Sequence, residues 1–145
     1  MSTVSSRSNS WSSVSLPPSP LTPVRSRYDP YDLELRATRI LTSLTNPESI
    51  HSISSQISPS IKVEHNDDAP IYSMQRYLSR FSRYPDVQLV VKEACVDEIQ
   101  QKVWVRSEIS GFPGGVIEES VDMLYFDDQG ILVGSVDCQR VKKRY

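Results

Sequence analysis

Residues 116–141 carry the clearest alternation of apolar and polar positions in the chain. They read V-I-E-E-S-V-D-M-L-Y-F, then D-D-Q-G, then I-L-V-G-S-V-D-C-Q-R-V. Two runs of strand period flank a turn ending in Gly130, a residue that accepts the positive φ such turns often need. Alternation puts Ser120, Asp122, Leu124 and Phe126 on one face of the first strand. With Phe126 set opposite Ile131, Asp122 faces Ser135 and Ser120 faces Asp137. Ile131, Val133, Ser135, Asp137 and Gln139 then complete that face, which is apolar near the turn and polar further out. Ile117, Val121, Met123, Tyr125, Leu132, Val136 and Cys138 form the other. Both faces hold apolar groups, so both are expected to meet protein, a ligand or a second subunit.

Upstream the period changes to that of a helix. Asp29-Pro30 is a helix start, since Asp caps free N–H groups and Pro suits the first turn. Leu33, Ala37, Ile40, Leu41 and Leu44 follow as one apolar stripe. Asn46-Pro47 opens a second helix with Ile50, Ile53 and Ile57 inward, stopped at Ser58-Pro59. I-K-V-E-H at 61–65 alternates like a short strand. Pro70 opens a third helix with Ile71, Met74, Leu78 and Phe81 inward. Arg76, Arg80 and Arg83 fall among its polar positions and read as a solvated face. Residues 87–96 and 102–110 are strands, and 111–115, G-F-P-G-G, turn the chain into the hairpin. The expected order is ααβαββββ: an α+β domain in which a curved, mostly antiparallel sheet wraps three helices and encloses a pocket between the layers.

Composition narrows the function. Residues 1–27 are rich in Ser and Pro and poor in aliphatics, so they are expected to be a disordered tail, with Trp11 its one large aromatic residue. Ser19-Pro20 and Thr22-Pro23 match proline-directed phosphorylation sites, a two-residue pattern that decides little. The folded domain is expected over residues 28–145, which is long enough for a real core. A net charge of -2 argues against a nucleic-acid or membrane-surface role driven by bulk charge. No apolar run reaches the ~20 residues that span a bilayer, and no secretory leader is visible, so a cytoplasmic location is expected. Cys95 and Cys138, with His51 and His65, lack metal-ligand spacing and read as free thiols and unrelated histidines. No metal and no organic cofactor is expected.

The order of elements, with I-K-V-E-H at 61–65, V-D-M-L-Y-F-D-D-Q-G-I-L-V at 121–133 and S-V-D at 135–137, resembles the cone-shaped α+β barrels of the nuclear transport factor 2-like superfamily. Within it the chain is most similar to the SnoaL-like proteins, which include polyketide cyclases and fungal isomerases and cyclases of secondary metabolism. The resemblance covers residues 29–143. Ketosteroid isomerases of this superfamily place a base carboxylate at the position of His65 and a proton-bearing carboxyl at that of Asp122. The phenol they bring from the first helix falls near Leu41. Limonene epoxide hydrolases use two aspartates, at the positions of Asp122 and Asp137, with an arginine between them at the position of Ser120.

If His65, Asp122 and Asp137 line one pocket, they suit proton abstraction next to a carbonyl. An ordinary imidazole, with a pKa near ~6.5, can take and return a proton near neutrality. A carboxyl in an apolar pocket can stay protonated and donate to an enolate oxygen. Ser120, Ser135 and Gln139 share their face and would bind substrate. Trp104 and Arg106 share a face of their strand: if it looks into the pocket, Trp104 would stack on a flat substrate and Arg106 would hold Asp122 or Asp137 ionised, and if it looks outward they form a dimer surface or a solvated one. The expected function is a cofactor-free cyclase, isomerase or dehydratase acting on a polyketide- or terpenoid-like molecule, in a homodimer formed through the sheet face. The competing expectation is a non-catalytic domain of the same fold that binds a small apolar ligand or serves as a dimeric interaction module.

Overall fold

A computed structural model describes residues 29–143. The tail expected over residues 1–27 lies outside the described residues, with Trp11 and the Ser-Pro and Thr-Pro pairs. Helix α1, Pro30–Ser43, starts where the sequence marks it: the Asp29 side chain accepts from the Asp32 amide at 2.9 Å. Its stripe of Leu33, Ala37, Ile40 and Leu41 is fully buried, and Leu44 nearly so. A 3₁₀ segment, Ile50–Gln56, stands where a second α-helix was expected; Ser and β-branched residues are weak helix formers. Ile57 does not end that helix. It is the buried first residue of β1, Ile57–His65, because Ser58, preceding Pro59, is pushed into extended backbone.

The third helix also shrinks. Ile71 pairs with Val63, and Tyr72 with Lys62, in a two-residue strand β2, Ile71–Tyr72. Helix α2, Met74–Leu78, follows, with the Ser73 side chain accepting from the Arg76 amide at 3.2 Å. Successive i→i+3 turns then carry the chain through Tyr84.

Strands β3 (Gln88–Asp97), β4 (Lys102–Ser110), β5 (Ile117–Phe126) and β6 (Leu132–Lys143) complete an open six-stranded sheet of order β2-β1-β6-β5-β4-β3. Strand β1 runs parallel to β6 and the other pairs are antiparallel. The core lies between the inner face of the sheet and the helical segments, with Ile61, Val103, Val105, Ile109, Leu124 and Leu132 fully buried. Gly111, at φ +94°, makes the β4–β5 turn possible: a Cβ there would sit 2.2 Å from the Asp86 carbonyl oxygen.

Beyond its first pair, the β5–β6 register differs by two residues from the one the turn suggested. Phe126 pairs with Leu132 and Tyr125 with Gly134, so Val133 is the extra residue of a bulge. Leu132 therefore points inward and Val133 outward, at 0% and 38% exposure. Beyond the bulge Asp122 stands opposite Asp137, and Ser120 opposite Gln139.

Candidate active site

Three strands and one turn meet at the polar end of the inner face. Strand β1 delivers His65 beside Asp137, its partner on β6. His65 Nδ1 and Asp137 Oδ1 are 2.5 Å apart, short for a hydrogen bond. With Nδ1 so engaged, Nε2 is the ring nitrogen left for a substrate, and the Asn66 amide approaches it at 3.4 Å. Asn66 occupies the left-handed region at φ 51°, a conformation Asn tolerates, and fixes the strand ends: its backbone N–H donates to the Asp137 carbonyl at 2.7 Å, and its Oδ1 accepts from the Gln139 amide at 2.8 Å.

Two carboxylates facing each other on adjacent strands need a cation, and it comes from outside the sheet. Arg80, in the turns after α2, reaches inward over the Phe81 ring, 4.8 Å from its centroid. Its Nη1 donates to Asp122 Oδ2 at 2.7 Å, and its Nη2 donates to Gln139 Oε1 at 2.9 Å and to Ser120 Oγ at 3.1 Å. Asp137 Oδ1 lies 3.7 Å from Nη2. The Ser120 hydroxyl donates to Asp122 Oδ1 at 2.7 Å, and Gln139 Nε2 donates to Glu118 Oε1 at 2.5 Å. The solvated face expected at Arg76, Arg80 and Arg83 is thus wrong for Arg80, whose side chain is 10% exposed. The arginine between two aspartates exists, supplied by a helical turn and not by position 120.

Electrostatics sort these groups. Burial pushes the Asp137 carboxyl above the usual range, with Asp122 adding to the rise while Arg80 and His65 oppose it. Burial alone would depress the Arg80 guanidinium, but Asp122 and Asp137 outweigh it and hold Arg80 cationic. Tyr77, on α2, is buried beside them. Burial, then Asp122, drive its phenol well above the ordinary value, so it stays a proton donor. The hydroxyls of Tyr77 and Ser135 are both buried without a hydrogen-bond partner of normal geometry.

An open cleft of about 590 Å³ lies over this centre. His65, Tyr77, Arg80, Asp137 and Gln139 line it, with Phe112 on the far wall. Asp122 does not: its side chain is fully buried and both oxygens are taken by Arg80 and Ser120. The expected role of Asp122 as a donor to substrate therefore has no geometric basis. Ser120 and Ser135 lie beneath the floor, completely buried. Trp104 and Arg106 are placed on the other side of the sheet, because Val103, Val105 and Ile109 take the inward positions of β4. There Arg106 pairs with Glu93 at 2.8 Å and Glu119 at 3.2 Å. Among the described residues no cluster of three His, Cys, Asp or Glu side chains could hold a metal ion, and no helix is long and apolar enough to cross a membrane.

Arg80 is the site residue that sequence reasoning missed. One signal was present: Tyr77, Arg80 and Phe81 fall on one side of a helical path, so an arginine there points with two aromatics toward the core.

Comparison with known proteins agrees with this architecture. No family model matches the chain. Over 116 residues it is 29% identical to the probable cyclase otaY of Aspergillus carbonarius, covering 77% of this chain and 92% of that protein. Over 113 residues it is 30% identical to the probable cyclase otaY of Aspergillus niger, covering 75% and 92%. Among solved structures, a protein from Jannaschia sp. CCS1 assigned as a SnoaL-like polyketide cyclase superimposes with a TM-score of 0.66 at 13% identity, over 77% of this chain and 89% of that one.

Proposed function

The chain belongs to the SnoaL-like, nuclear transport factor 2-like superfamily, and from that premise we propose that it is a cyclase or isomerase that moves a proton next to a carbonyl of a polyketide- or terpenoid-like molecule, using side chains alone. The observation that carries the reading is the His65–Asp137 contact of 2.5 Å at the edge of the cleft. Asp137 accepts from Nδ1–H, which leaves Nε2 as the basic nitrogen, and the Asn66 amide that approaches it gives way to substrate. Nε2 takes a proton from the carbon beside a carbonyl, and the C–H electron pair moves into the enolate. A substrate that reaches past the cleft lining meets the buried Tyr77 hydroxyl, which then donates a hydrogen bond to the enolate oxygen. Attack of the enolate carbon on a second carbonyl closes a ring, and imidazolium returns its proton to the new alkoxide. Returning it to another carbon gives isomerisation. Arg80, Asp122, Ser120 and Gln139 hold Asp137 and the strands in register, acting through His65.

A non-catalytic small-ligand domain is the second reading, favoured by the complete enclosure of Asp122. Proton exchange separates the two. In D2O, wild-type protein should speed deuterium uptake beside the carbonyl of cyclic aryl ketones, and His65→Gln should slow it by about 100-fold. Uptake no faster than in buffer across such ketones, or equal in the variant, sinks the catalytic reading. We also propose a homodimer through the outer sheet face, where Trp104 is 42% and Val121 38% exposed. A monomer by light scattering at micromolar concentration would exclude it.

A further inference from the structure

Arg76, Arg80 and Arg83 follow one another at helical spacing, and all three line the cleft. Their circumstances differ. Arg80 turns inward to Asp122, while Arg76 and Arg83 stay exposed, and neither forms an ion pair among the described residues. On the sheet, Lys62, Lys92, Arg106, Arg140 and Lys142 each meet a glutamate, and Lys102 lies over the Trp104 and Tyr125 rings. The serines between the arginines are not competing donors, since Ser79 Oγ donates to the Arg76 carbonyl and Ser82 Oγ to the Ser79 carbonyl. Of the acids on the cleft, Asp137 is engaged by His65 and Arg80, Glu118 is engaged by Gln139, and Asp68 is exposed in the turn after β1. Tyr84 and Phe112 meet edge to face at 5.2 Å and add an aromatic wall beside Arg83.

We propose that Arg76 and Arg83 form an anion-binding rim, so that the molecule this cleft accepts is a flat, apolar acid. Its carboxylate pairs with the two guanidinium groups, its ring lies against Tyr84 and Phe112, and its reacting carbon lies toward His65. The last placement rests on the acid–base reading above; the rim itself does not. Arginine suits the task because its planar fork matches a carboxylate and keeps its charge at any working pH. The rim would fix which end of an elongated substrate reaches the imidazole.

Two naphthalene probes of similar shape test this: anionic 8-anilinonaphthalene-1-sulfonate and neutral N-phenyl-1-naphthylamine, titrated by fluorescence. The anion should bind more tightly to the wild type. The double substitution Arg76→Gln with Arg83→Gln should weaken the anion by roughly five- to tenfold, the scale of two exposed ion pairs, and leave the neutral probe unchanged. Arg76→Lys with Arg83→Lys should retain most of the preference. Arg39→Gln, an exposed site on α1, should leave both probes unaffected. Added salt should close the gap between probes in wild type. Equal binding of both probes by wild type, or a double variant that binds the anion as wild type does or loses both probes alike, overturns the rim. The His65 ring resonances, recorded on the same samples, report separately on the imidazole–aspartate pair, so loss of the rim and loss of the acid–base centre read differently.

Discussion

On the inner face of the sheet Arg80 meets Asp122 at 2.7 Å; on the outer face Arg106 meets Glu93 at 2.8 Å. The bond lengths match, but the surroundings do not. The inner pair is 10% and 0% exposed, the outer one 35% and 68%. Water already solvates the outer charges, so pairing adds little there. The inner charges have exchanged water for one another, and removing either strands its partner. Distance alone is therefore a poor guide to which ion pair organises a protein. Here the buried one fixes the site, and the exposed ones decorate the face away from it.

The comparison can be broken most directly at Arg80. Arg80→Ala should cost about 3–5 kcal/mol in urea denaturation, because Asp122 and Asp137 are left facing each other without a cation. A loss below ~1 kcal/mol would mean that water reaches the inner face and that the two sides of the sheet are equivalent.

A subtler contrast lies in the sign of the pH dependence. Asp137 has a raised folded-state pKa, so the folded state holds its proton more tightly, and its contribution to stability is lost as pH rises from the unfolded value through the folded one. Glu119, lowered first by its hydrogen bond from Arg140, behaves oppositely: its contribution is present above the unfolded value and lost as pH falls through the folded one. Asp137→Asn should therefore remove a decline in stability above about pH 4, whereas Glu119→Gln should remove a rise over the range just below it. Thermal melts at stepped pH would show the two slopes changing in opposite directions; changes of the same sign would contradict the assignment. The smallest effect is expected at Arg106. Arg106→Ala should leave the urea midpoint unchanged at moderate salt, and a clear destabilisation would show the outer pairs to be more than decoration.

The outline of both faces was legible in the chain. The stripe on α1 and the alternation along β4 and β5 specify which residues turn inward, because period and burial are the same fact seen twice. Asp122 and Asp137 could be placed on one face by parity, whereas His65 joined them only through the resemblance, because no local period marks β1 as the neighbour of β6. The bulge at Val133 could not be counted from alternation, although Gly134, an interior strand glycine, was a hint. Added to a one-residue offset at the turn, it shifted the pairs beyond it by two residues, so Leu132 and Val133 exchanged faces while the acids kept their parity and stayed inward with different partners. The sidedness of Trp104 and Arg106 was readable from Val103, Val105 and Ile109; the chemical appeal of an indole and a guanidinium in a pocket argued the other way, and packing won. Arg80 was hardest to see. Its role depends on where a loose turn delivers a long side chain across the fold, which no local period encodes.

The central claim is that Asp137 fixes the His65 ring so that its free nitrogen faces the cleft. ¹⁵N–¹H correlation of the His65 ring in wild type and Asp137→Asn tests it most directly. Wild type at neutral to alkaline pH should show a protonated Nδ1, with its proton far downfield, and an unprotonated Nε2, and the substitution should abolish that pattern. A proton on Nε2 in wild type, or identical ring spectra in the two proteins, would contradict it.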